Sequence, residues 1–534
     1  MDGRATNRQL QGSDRQAGHQ AAAEHLSPCS RGVTQVPRPT PYAGASRLTS
    51  CLISALLIAL DYSAALAGEL TITPASMARI GTVDERFQSY NVEMVEVTGG
   101  KFWKPYGANT SDAHSDLYEY RAPIDLTDAR LRKLAAALAP AYIRISGSWA
   151  NATYFANADA APSAPPRGFD GILTRQQWRG VIDFSQAVGA RIVTSFAVSP
   201  GTRNAAGAWT SDQASSLLAY TASVGGHIAA VEFMNEPDVA AMGAAPASND
   251  IAAYRRDFEI FRSLMNQRMP EVMILGPGTA GATTAASGLV AGSGVDVVSY
   301  HHYGALSERC SSSSTPEAAL SEAWLSRTDH TLAFYLRLRD KFEPGKPIWL
   351  TETAEAACGG NRWDATFLDT FRYLDQLGRL AKAGVQVVMH NTLAASDYGL
   401  LDEKTLTPRP NYWGALLWRK LMGNIVLNPG VLIETDLHVY AHCQRRRPGR
   451  VTLLVINPSR DTPQSLTLPD TSERYTLDAA NLGDTKVRLN GHALGLSAQD
   501  ELPRITGTLA AAGAVTFAPA TITFLAMSAP NNAC

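Results

Sequence analysis

Residues 231–240 read VEFMNEPDVA, and this stretch decides the fold that the sequence predicts. An apolar run ends in Asn-Glu-Pro, and Pro237 lacks the backbone N–H that a strand needs in order to continue. The pattern predicts a buried strand with Asn235 and Glu236 at its end. A second stretch, IWLTET at 348–353, has the same form, because its apolar run leads directly into Glu352.

Apolar runs of this kind recur from residue 84 to residue 422, and amphipathic helical segments separate most of them. Strands joined by helical crossovers pair in parallel, so the pattern predicts an α/β fold, a (β/α)8 TIM barrel whose site lies at the C-terminal strand ends. A doubly wound open sheet is the alternative, which the missing Gly-rich phosphate fingerprint disfavours. The expected strands are 88–97, 141–146, 191–197, 229–234, 272–276, 295–300, 347–351 and 386–391.

The segments on either side of the barrel differ in pattern. After residue 422 the helical period disappears, and short alternating strands predict an accessory antiparallel β-sandwich domain over 68–83 plus 423–534. The stretch ELTIT at 69–73 is expected to join its sheet. Residues 1–67 are a polar leader that ends in an apolar run and Ala65-Leu66-Ala67, the pattern of a secretory signal. Cleavage near Ala67 would give a secreted or periplasmic protein without a transmembrane anchor.

The bulk composition excludes some partners and limits others. A formal net charge of −2 gives no basis for nucleic-acid binding. Neither a metal-ligand cluster nor a phosphate loop is apparent, so we expect no cofactor and no metal, and we expect a monomer. Beyond the leader the chain keeps Cys310, Cys358, Cys443 and Cys534, an even set that favours two disulfides in an exported protein. The alternative is four buried free thiols.

The two glutamates at strand ends suggest a reaction. In a parallel barrel the ends of the fourth and seventh strands face one rim, so Glu236 and Glu352 can approach one cavity. Two carboxylates flanking one bond are the equipment of glycoside hydrolysis, with retention of configuration when they stand about 5–5.5 Å apart. Asn235 would donate to the sugar hydroxyl beside the reacting carbon. Either motif alone could instead be a solvated turn at a strand end.

Further motifs narrow the resemblance. Asn235-Glu236-Pro237 with IWLTET is similar to the retaining glycosidases of clan A, and the wider set resembles the heparanase-like glycoside hydrolase family 79. The motifs that carry this resemblance are YIRISG (142–147), SYHHY (299–303), DYGLLDE (397–403), RPNYWGALLWRKLMG (409–423), VYAHC (439–443) and VRLNG (487–491).

The resemblance implies a role for each matching position. Glu236 would be the acid/base and Glu352 the nucleophile. The other expected substrate-binding residues are Glu93, Ser148, His301, Tyr303, Asn391, Ser396, Asp397 and Tyr398, of which 396–398 would hold the uronic acid carboxylate. A family disulfide is implied for Cys443 and Cys534. Cys310 and Cys358 lie on loops after neighbouring strands, which suggests a second bridge. Glu93 could instead pair with Arg144 and have no substrate role.

The substrate expectation is a polysaccharide or oligosaccharide that contains glucuronic acid. The first hypothesis is an endo-β-glucuronidase of the heparanase type acting on heparan sulfate. The alternatives are an exo-β-glucuronidase that releases terminal glucuronic acid and a non-catalytic secreted carbohydrate-binding protein. A polyanionic substrate requires basic side chains beside the cleft, and the candidates near strand ends are Lys101, Lys104 and Arg203. The sequence leaves endo or exo action and sulfation preference open.

Overall fold

The alternating strands and helices form a closed parallel barrel in the computed structural model, which confirms the expected fold class. The structure describes residues 70–106, 117–246, 248–310, 314–431 and 436–534. The leader predicted at 1–67 lies outside the described residues.

The strands are, in chain order, β1 (Arg79–Thr82), β2 (Gln88–Glu93), β3 (Gly100–Trp103), β4 (Tyr118–Arg121), β5 (Ala141–Ser146), β6 (Thr153–Ala156), β7 (Gly171–Thr174), β8 (Ala190–Thr194), β9 (Ile228–Glu232), β10 (Met273–Thr279), β11 (Val297–Leu306), β12 (Ile348–Ala357), β13 (Val387–His390), β14 (Met422–Leu427), β15 (His438–Gln444), β16 (Arg450–Asn457), β17 (Gln464–Leu468), β18 (Ser472–Asp478), β19 (Arg488–Leu489), β20 (His492–Ala493), β21 (Thr508–Ala510), β22 (Gly513–Phe517) and β23 (Thr521–Pro530). The helices are α1 (Met94–Thr98), α2 (Ala129–Ala137), α3 (Arg175–Ala187), α4 (Asp212–Ser223), α5 (Ile251–Arg268), α6 (Ala286–Val290), α7 (Glu322–Leu325), α8 (Arg327–Phe342), α9 (Phe367–Lys382) and α10 (Pro410–Leu421).

The barrel closes in the strand order β2, β5, β8, β9, β10, β11, β12, β13 and back to β2, with parallel pairing throughout. Apolar side chains from its strands form a separate buried cluster that includes Tyr142, Val193, Leu275 and Trp349. Because strand side chains alternate between faces, Arg144 in β5 points to the same side as Tyr142. An apolar plug therefore lies beneath a charged layer that begins with Arg144.

Several expected strand boundaries are wrong by a few residues, and two of these differences place a glutamate of the site. The first barrel strand ends at Glu93 rather than continuing to Val97, because Glu93 caps helix α1. The backbone N–H of Glu93 donates to Glu96 Oε1 at 2.9 Å, and this reciprocal capping box starts the helix. Strand β12 continues to Ala357, so Glu352 lies within it and not after it.

Strand β1 and the strands from β14 to β23 confirm the antiparallel sandwich expected at the C-terminus, whereas β3–β4 and β6–β7 form separate two-stranded sheets. A sheet in the order β1, β14, β15, β16, β23, β18, β19, β20, with β21 beside β18, faces the pair β17–β22 across a core that includes Val439, Leu453 and Phe517. The stretch ELTIT contributes an isolated bridge between Thr71 and Thr467, whereas β1 supplies the N-terminal strand of the sheet. The domain limits at residues 84 and 422 stay a prediction.

Two disulfides are present, Cys310–Cys358 and Cys443–Cys534. The second ties the chain end to β15, and the first joins the segment after β11 to the end of β12. Disulfides persist in oxidising compartments. None of the helices in the described ranges combines the length and the apolar character that crossing a membrane requires.

A buried carboxylate joins barrel helix α9 to the sandwich. Asp375 accepts from Tyr440 Oη at 2.5 Å and from Arg379 Nε at 2.6 Å, and His438 Nδ1 lies 2.5 Å from it. Burial alone would raise the pKa of Asp375, but His438, Arg379 and Tyr440 lower it below its usual value. Its folded-state pKa is depressed, so its stabilising effect is present at neutral pH and is lost as the pH falls through that value.

Replacing Asp375 by Ala should lower the free energy of unfolding by about 3–5 kcal/mol, because the buried side chains of Arg379, His438 and Tyr440 would all lose the acceptor that they share. Urea denaturation at pH 7 measures the change. Tyr440→Phe is the matched control, since it removes one hydrogen bond and should cost about 1 kcal/mol. Equal effects of the two substitutions would contradict the role assigned to Asp375.

Candidate active site

The paired glutamates meet at the C-terminal rim of the barrel. Glu236 follows β9 with φ 46° and ψ 66°, a left-handed conformation that turns the chain before Pro237 begins a 3-10 helix. One oxygen of Glu236, one oxygen of Glu352 and a ring nitrogen of His301 all lie within 4.8 Å of one another. The two carboxylates therefore share one cavity, as the strand count predicts.

Arg144 is the centre of the buried layer beneath this pair. Its Nη1 donates to Glu352 Oε2 at 2.8 Å, its Nε to Glu232 Oε2 at 2.8 Å and its Nη2 to Asn235 Oδ1 at 2.7 Å. The side chain is 1% exposed, so these charge-assisted bonds replace its hydration. Arg144 is thus committed to these acceptors and makes no hydrogen bond to Glu93.

The sequence analysis missed Arg144 and Glu232 as site residues, although a signal was present. Each is a lone charge inside an apolar strand, YIRIS and VEFM respectively. Buried charges are almost always paired, so two isolated opposite charges in neighbouring parts of one barrel predict each other. Strand alternation alone could have suggested this pair.

The environments of the two rim glutamates push their pKa values apart. Burial raises the pKa of Glu236, and the charge of Glu352 raises it further against the opposing hydrogen bond with His301. Burial would also raise the pKa of Glu352, but the positive charges of His301 and Arg144 lower it below its usual value. Glu236 therefore tends to keep a proton, while Glu352 is the ionised member of the pair.

His301 lies between the carboxylates instead of lining the sugar site, where we expected it. Its Nδ1 is 2.9 Å from Glu236 Oε1 and 3.7 Å from Glu352 Oε2, and the residue is fully buried. Burial lowers the pKa of His301, but Glu352 and Glu236 raise it above its usual value. His301 and Tyr303 are two positions apart in β11 and both reach Glu352, so they lie on the same face of that strand. The register shift beside them leaves Thr351 of β12 without a partner in β11, and His302, whose Nδ1 is 2.9 Å from Thr331 Oγ1, also lines the cavity.

Tyr303 and Asn391 continue the network on the cavity side. Tyr303 Oη donates to Glu352 Oε1 at 2.6 Å, and Asn391 Nδ2 donates to Tyr303 Oη at 3.0 Å. Both residues line the cavity, as expected. With Arg144 on its Oε2, Glu352 has a partner on each oxygen, which fixes its carboxylate plane.

Glu93 lies at the end of β2 and lines the same cavity. Burial, followed by the charge of Glu352, raises the pKa of Glu93 well above its usual range. The protonated form of the carboxyl, which can donate as well as accept, is thus favoured. Gly147, at φ +89°, makes room for it, because a Cβ there would stand 1.4 Å from Glu93 Oε2.

In the expected uronate loop, residues 396–398, one side chain lines the cavity and the other two contact neighbouring parts of the fold. Tyr398 lines the cavity. The side chains of Ser396 and Asp397 are used elsewhere: Ser396 Oγ donates to Gly359 O at 2.8 Å, and Asp397 accepts from Arg309 Nη2 at 2.8 Å. Their side chains therefore support the loop that carries Tyr398, and the expected binding of substrate by residues 396–398 stays a prediction.

The remaining expected residues also separate into two groups. Ser148 lines the cavity, and Asn235 lies beneath it with its Nδ2 at 3.4 Å from Ser148 Oγ. Of the expected basic residues, Lys101 lines the cavity, whereas Arg203 pairs with Asp257 and donates to Val198 O. The cavity has a volume of about 890 Å³.

Glu236, His301 and Glu352 are also the group of side chains best placed to hold a metal ion. Their surroundings disfavour this use. Arg144 already places a permanent positive charge 2.8 Å from Glu352 Oε2, and a metal ion would have to displace it or tolerate its repulsion. The donor set therefore suits proton chemistry better than metal binding.

Comparison with known proteins agrees with this geometry. The family model "Glycosyl hydrolase family 79, N-terminal domain" matches residues 119–378. Heparanase-like protein 1 of Arabidopsis thaliana is 30% identical over 390 residues, which are 67% of this chain and 69% of that protein. The heparanase of Rattus norvegicus is 30% identical over 435 residues, 69% of this chain and 80% of the relative.

A solved structure shares the fold. The 4-O-alpha-L-rhamnosyl-beta-D-glucuronidase of Fusarium oxysporum superposes with a TM-score of 0.61 at 16% sequence identity, covering 86% of this chain and all of the other. At this identity the likeness concerns the architecture.

Replacing Arg144 by Met should raise the pKa of Glu352 above its value in the unchanged protein, because the ion pair that favours its charged form is lost. Carbon NMR titration of labelled glutamate carboxyls measures the shift, with Glu352→Gln to assign the signal. Arg144→Lys is the matched control, since it keeps the charge and should move the midpoint less. An unchanged Glu352 midpoint in folded Arg144→Met would contradict the assignment.

Proposed function

The chain belongs to glycosyl hydrolase family 79 and is a glycoside hydrolase that acts on glucuronides, and from this premise we propose that it is a retaining endo-β-glucuronidase. It would cleave glucuronic acid bonds within polysaccharides of the heparan sulfate type through a covalent glycosyl-enzyme intermediate. The membership excludes the simple carbohydrate-binding protein considered from the sequence.

The observation that carries the proposal is that the pKa values of two neighbouring carboxyl groups are shifted in opposite directions. Glu236 has a raised pKa and Glu352 a lowered one, although their oxygens approach within 4.8 Å. Retaining glycosidases hold their carboxyl groups about 5–5.5 Å apart, whereas inverting enzymes leave a wider gap for water. The spacing supports retention, and the opposite pKa shifts support the assignment of Glu236 as the acid and Glu352 as the nucleophile.

In the first step Glu352 attacks the anomeric carbon and forms an ester bond, while Glu236 gives its proton to the departing glycosidic oxygen. In the second step Glu236 removes a proton from water, and the resulting oxygen attacks the anomeric carbon and releases Glu352. Arg144 and Tyr303 orient the Glu352 carboxylate for attack, since each donates to one of its oxygens. Protonated Glu93 would donate to a sugar hydroxyl.

Endo action is supported by the extent of the cavity. On one side of the carboxyl pair it is lined by Lys101, Trp103 and Tyr118 from the β3–β4 hairpin. On the other side it reaches Met242 and Leu306. The rings of Trp103 and Tyr118 lie 4.6 Å apart and form an aromatic surface suited to a sugar that precedes the glucuronate. Space on both sides favours a bond inside a chain.

We propose export of the protein as a monomer after cleavage of its leader near Ala67. The support is the secretory pattern of residues 1–67 together with the two disulfides.

Glu352→Gln should abolish turnover without unfolding the protein, because the nucleophile is lost while the side-chain shape is kept. Glu236→Gln should lower the rate by roughly 10²–10⁴ on substrates with poor leaving groups, since proton transfer is lost. Azide should rescue Glu236→Gln with formation of a β-glucuronosyl azide. Steady-state rates and product NMR measure these effects, and near-wild-type activity of Glu352→Gln would refute the mechanism.

Two substrates test the mode of action on one preparation of the enzyme. A rapid fall in the size of heparan sulfate on size-exclusion chromatography, with little turnover of an aryl β-glucuronide, is the expected result. Fast hydrolysis of the aryl glucuronide with unchanged polymer size would contradict endo action and would show that the enzyme is an exo-β-glucuronidase. If neither substrate is turned over, the proposed function is refuted.

A further inference from the structure

The two sides of the cavity differ in chemistry. The side carried by β12, β13, β2 and β5 has polar and charged groups, among them Glu93, Lys101 and Asn391. The opposite side is carried by the neighbouring strands β9, β10 and β11 and the segments that follow them. Its polar groups are Glu236, His302, Tyr303 and Thr331, and its other groups are apolar or small, including Val239, Met242, Ala282 and Leu306.

Glu236 identifies the apolar side as the one that holds the departing sugar. The acid must lie beside the oxygen of the bond that breaks, so the unit beyond that oxygen lies over the segments next to Glu236. Val239 and Met242 follow it in the chain. The Ala280 N–H donates to Asp238 Oδ1 at 3.0 Å, which holds the segment after β10 against the same wall.

This wall lacks a cation among the described lining residues. Two arginines of this half of the barrel are engaged in the fold: Arg327 Nη1 donates to Gly304 O at 2.7 Å, and Arg203 pairs with Asp257. His302 lines the cavity, but burial lowers its pKa to about 3. The internal segments between the described ranges contain no lysine or arginine in their sequence. A sulfate group here would lose hydration beside the Glu236 carboxyl without meeting a lysine or arginine side chain among the described lining residues.

We propose that the departing unit is an uncharged, N-acetylated hexosamine and that N-sulfated or 6-O-sulfated hexosamine is disfavoured at this position. The inference rests on the proposed glucuronidase function and names its substrate class. The acetyl methyl group can pack on Val239 and Met242, whereas a sulfate would lose hydration beside a carboxyl. Lys101 lies on the other side, so charge on the preceding sugar is tolerated.

Two synthetic disaccharide glycosides test the proposal with the complete enzyme. Both carry glucuronic acid β-linked to O4 of glucosamine, which is N-acetylated in one and N-sulfated and 6-O-sulfated in the other. We expect kcat/KM to be roughly tenfold or more higher for the N-acetylated compound, because the sulfates would lose hydration on this side of the cavity without gaining a charged partner. These substrates report endo-acting and exo-acting enzymes alike.

Charge-adding variants locate the effect. Met242 is 78% exposed, so the Met242→Lys variant should fold. It should lower the ratio of kcat/KM between the N-acetylated and the sulfated compound by roughly threefold, which is the size of the effect of an exposed ion pair. Met242→Gln separates charge from side-chain length. Leu509→Lys adds the same charge at an 83% exposed position of β21 and should leave the ratio unchanged.

The outcomes separate the two proposals. Equal turnover of both compounds, or faster turnover of the sulfated one, overturns the substrate inference and leaves the glucuronidase function intact. An unchanged ratio in Met242→Lys also overturns it. Failure of both compounds and of an aryl β-glucuronide refutes the glucuronidase function and the inference with it.

Discussion

The buried guanidinium of Arg144 is the interaction on which the rest of the site depends. It lies on the apolar plug of the barrel and donates to Glu232, Glu352 and Asn235 at 2.7–2.8 Å. Without such a cation, the carboxylates beneath the rim would repel one another and would take up protons. Arg144 therefore allows one glutamate to stay ionised inside a buried layer, and it fixes the position of that glutamate through strands far apart in sequence.

The same layer makes two chemically identical side chains different. Glu352 receives Arg144 on one oxygen and Tyr303 on the other, so its charged form is favoured against the cost of burial. Glu236 stands further from Arg144 and faces the charge of Glu352, so its neutral form is favoured. The division into acid and nucleophile thus comes from the surroundings and not from the residue type. Asp375 is stabilised in the same way where barrel helix α9 meets the sandwich, because His438, Tyr440 and Arg379 surround its carboxylate and favour the charged form against the cost of burial.

The surroundings of the cavity also affect which substrate can bind, because its two sides differ in chemistry. Charged and polar side chains gather where the glucuronate would bind, and apolar side chains gather beside the acid. A wall without cations selects by exclusion, since a sulfate brought against it must give up water without gaining a partner. Substrate class in this fold therefore depends on the segments after β9, β10 and β11, while the carboxyl pair can stay the same.

The sequence by itself determined the barrel, the sandwich and the two rim glutamates. These follow from local chemistry: strand periodicity, the break at Pro237, and carboxylates directly after apolar runs. Only the tertiary structure decided which side chains face the cavity. His301 lies beneath the cavity in contact with Glu236 and Glu352, and contacts with Gly359 and Arg309 engage the side chains of Ser396 and Asp397. It also decided the pKa values, because burial and electric field sum over neighbours that meet only in the folded chain.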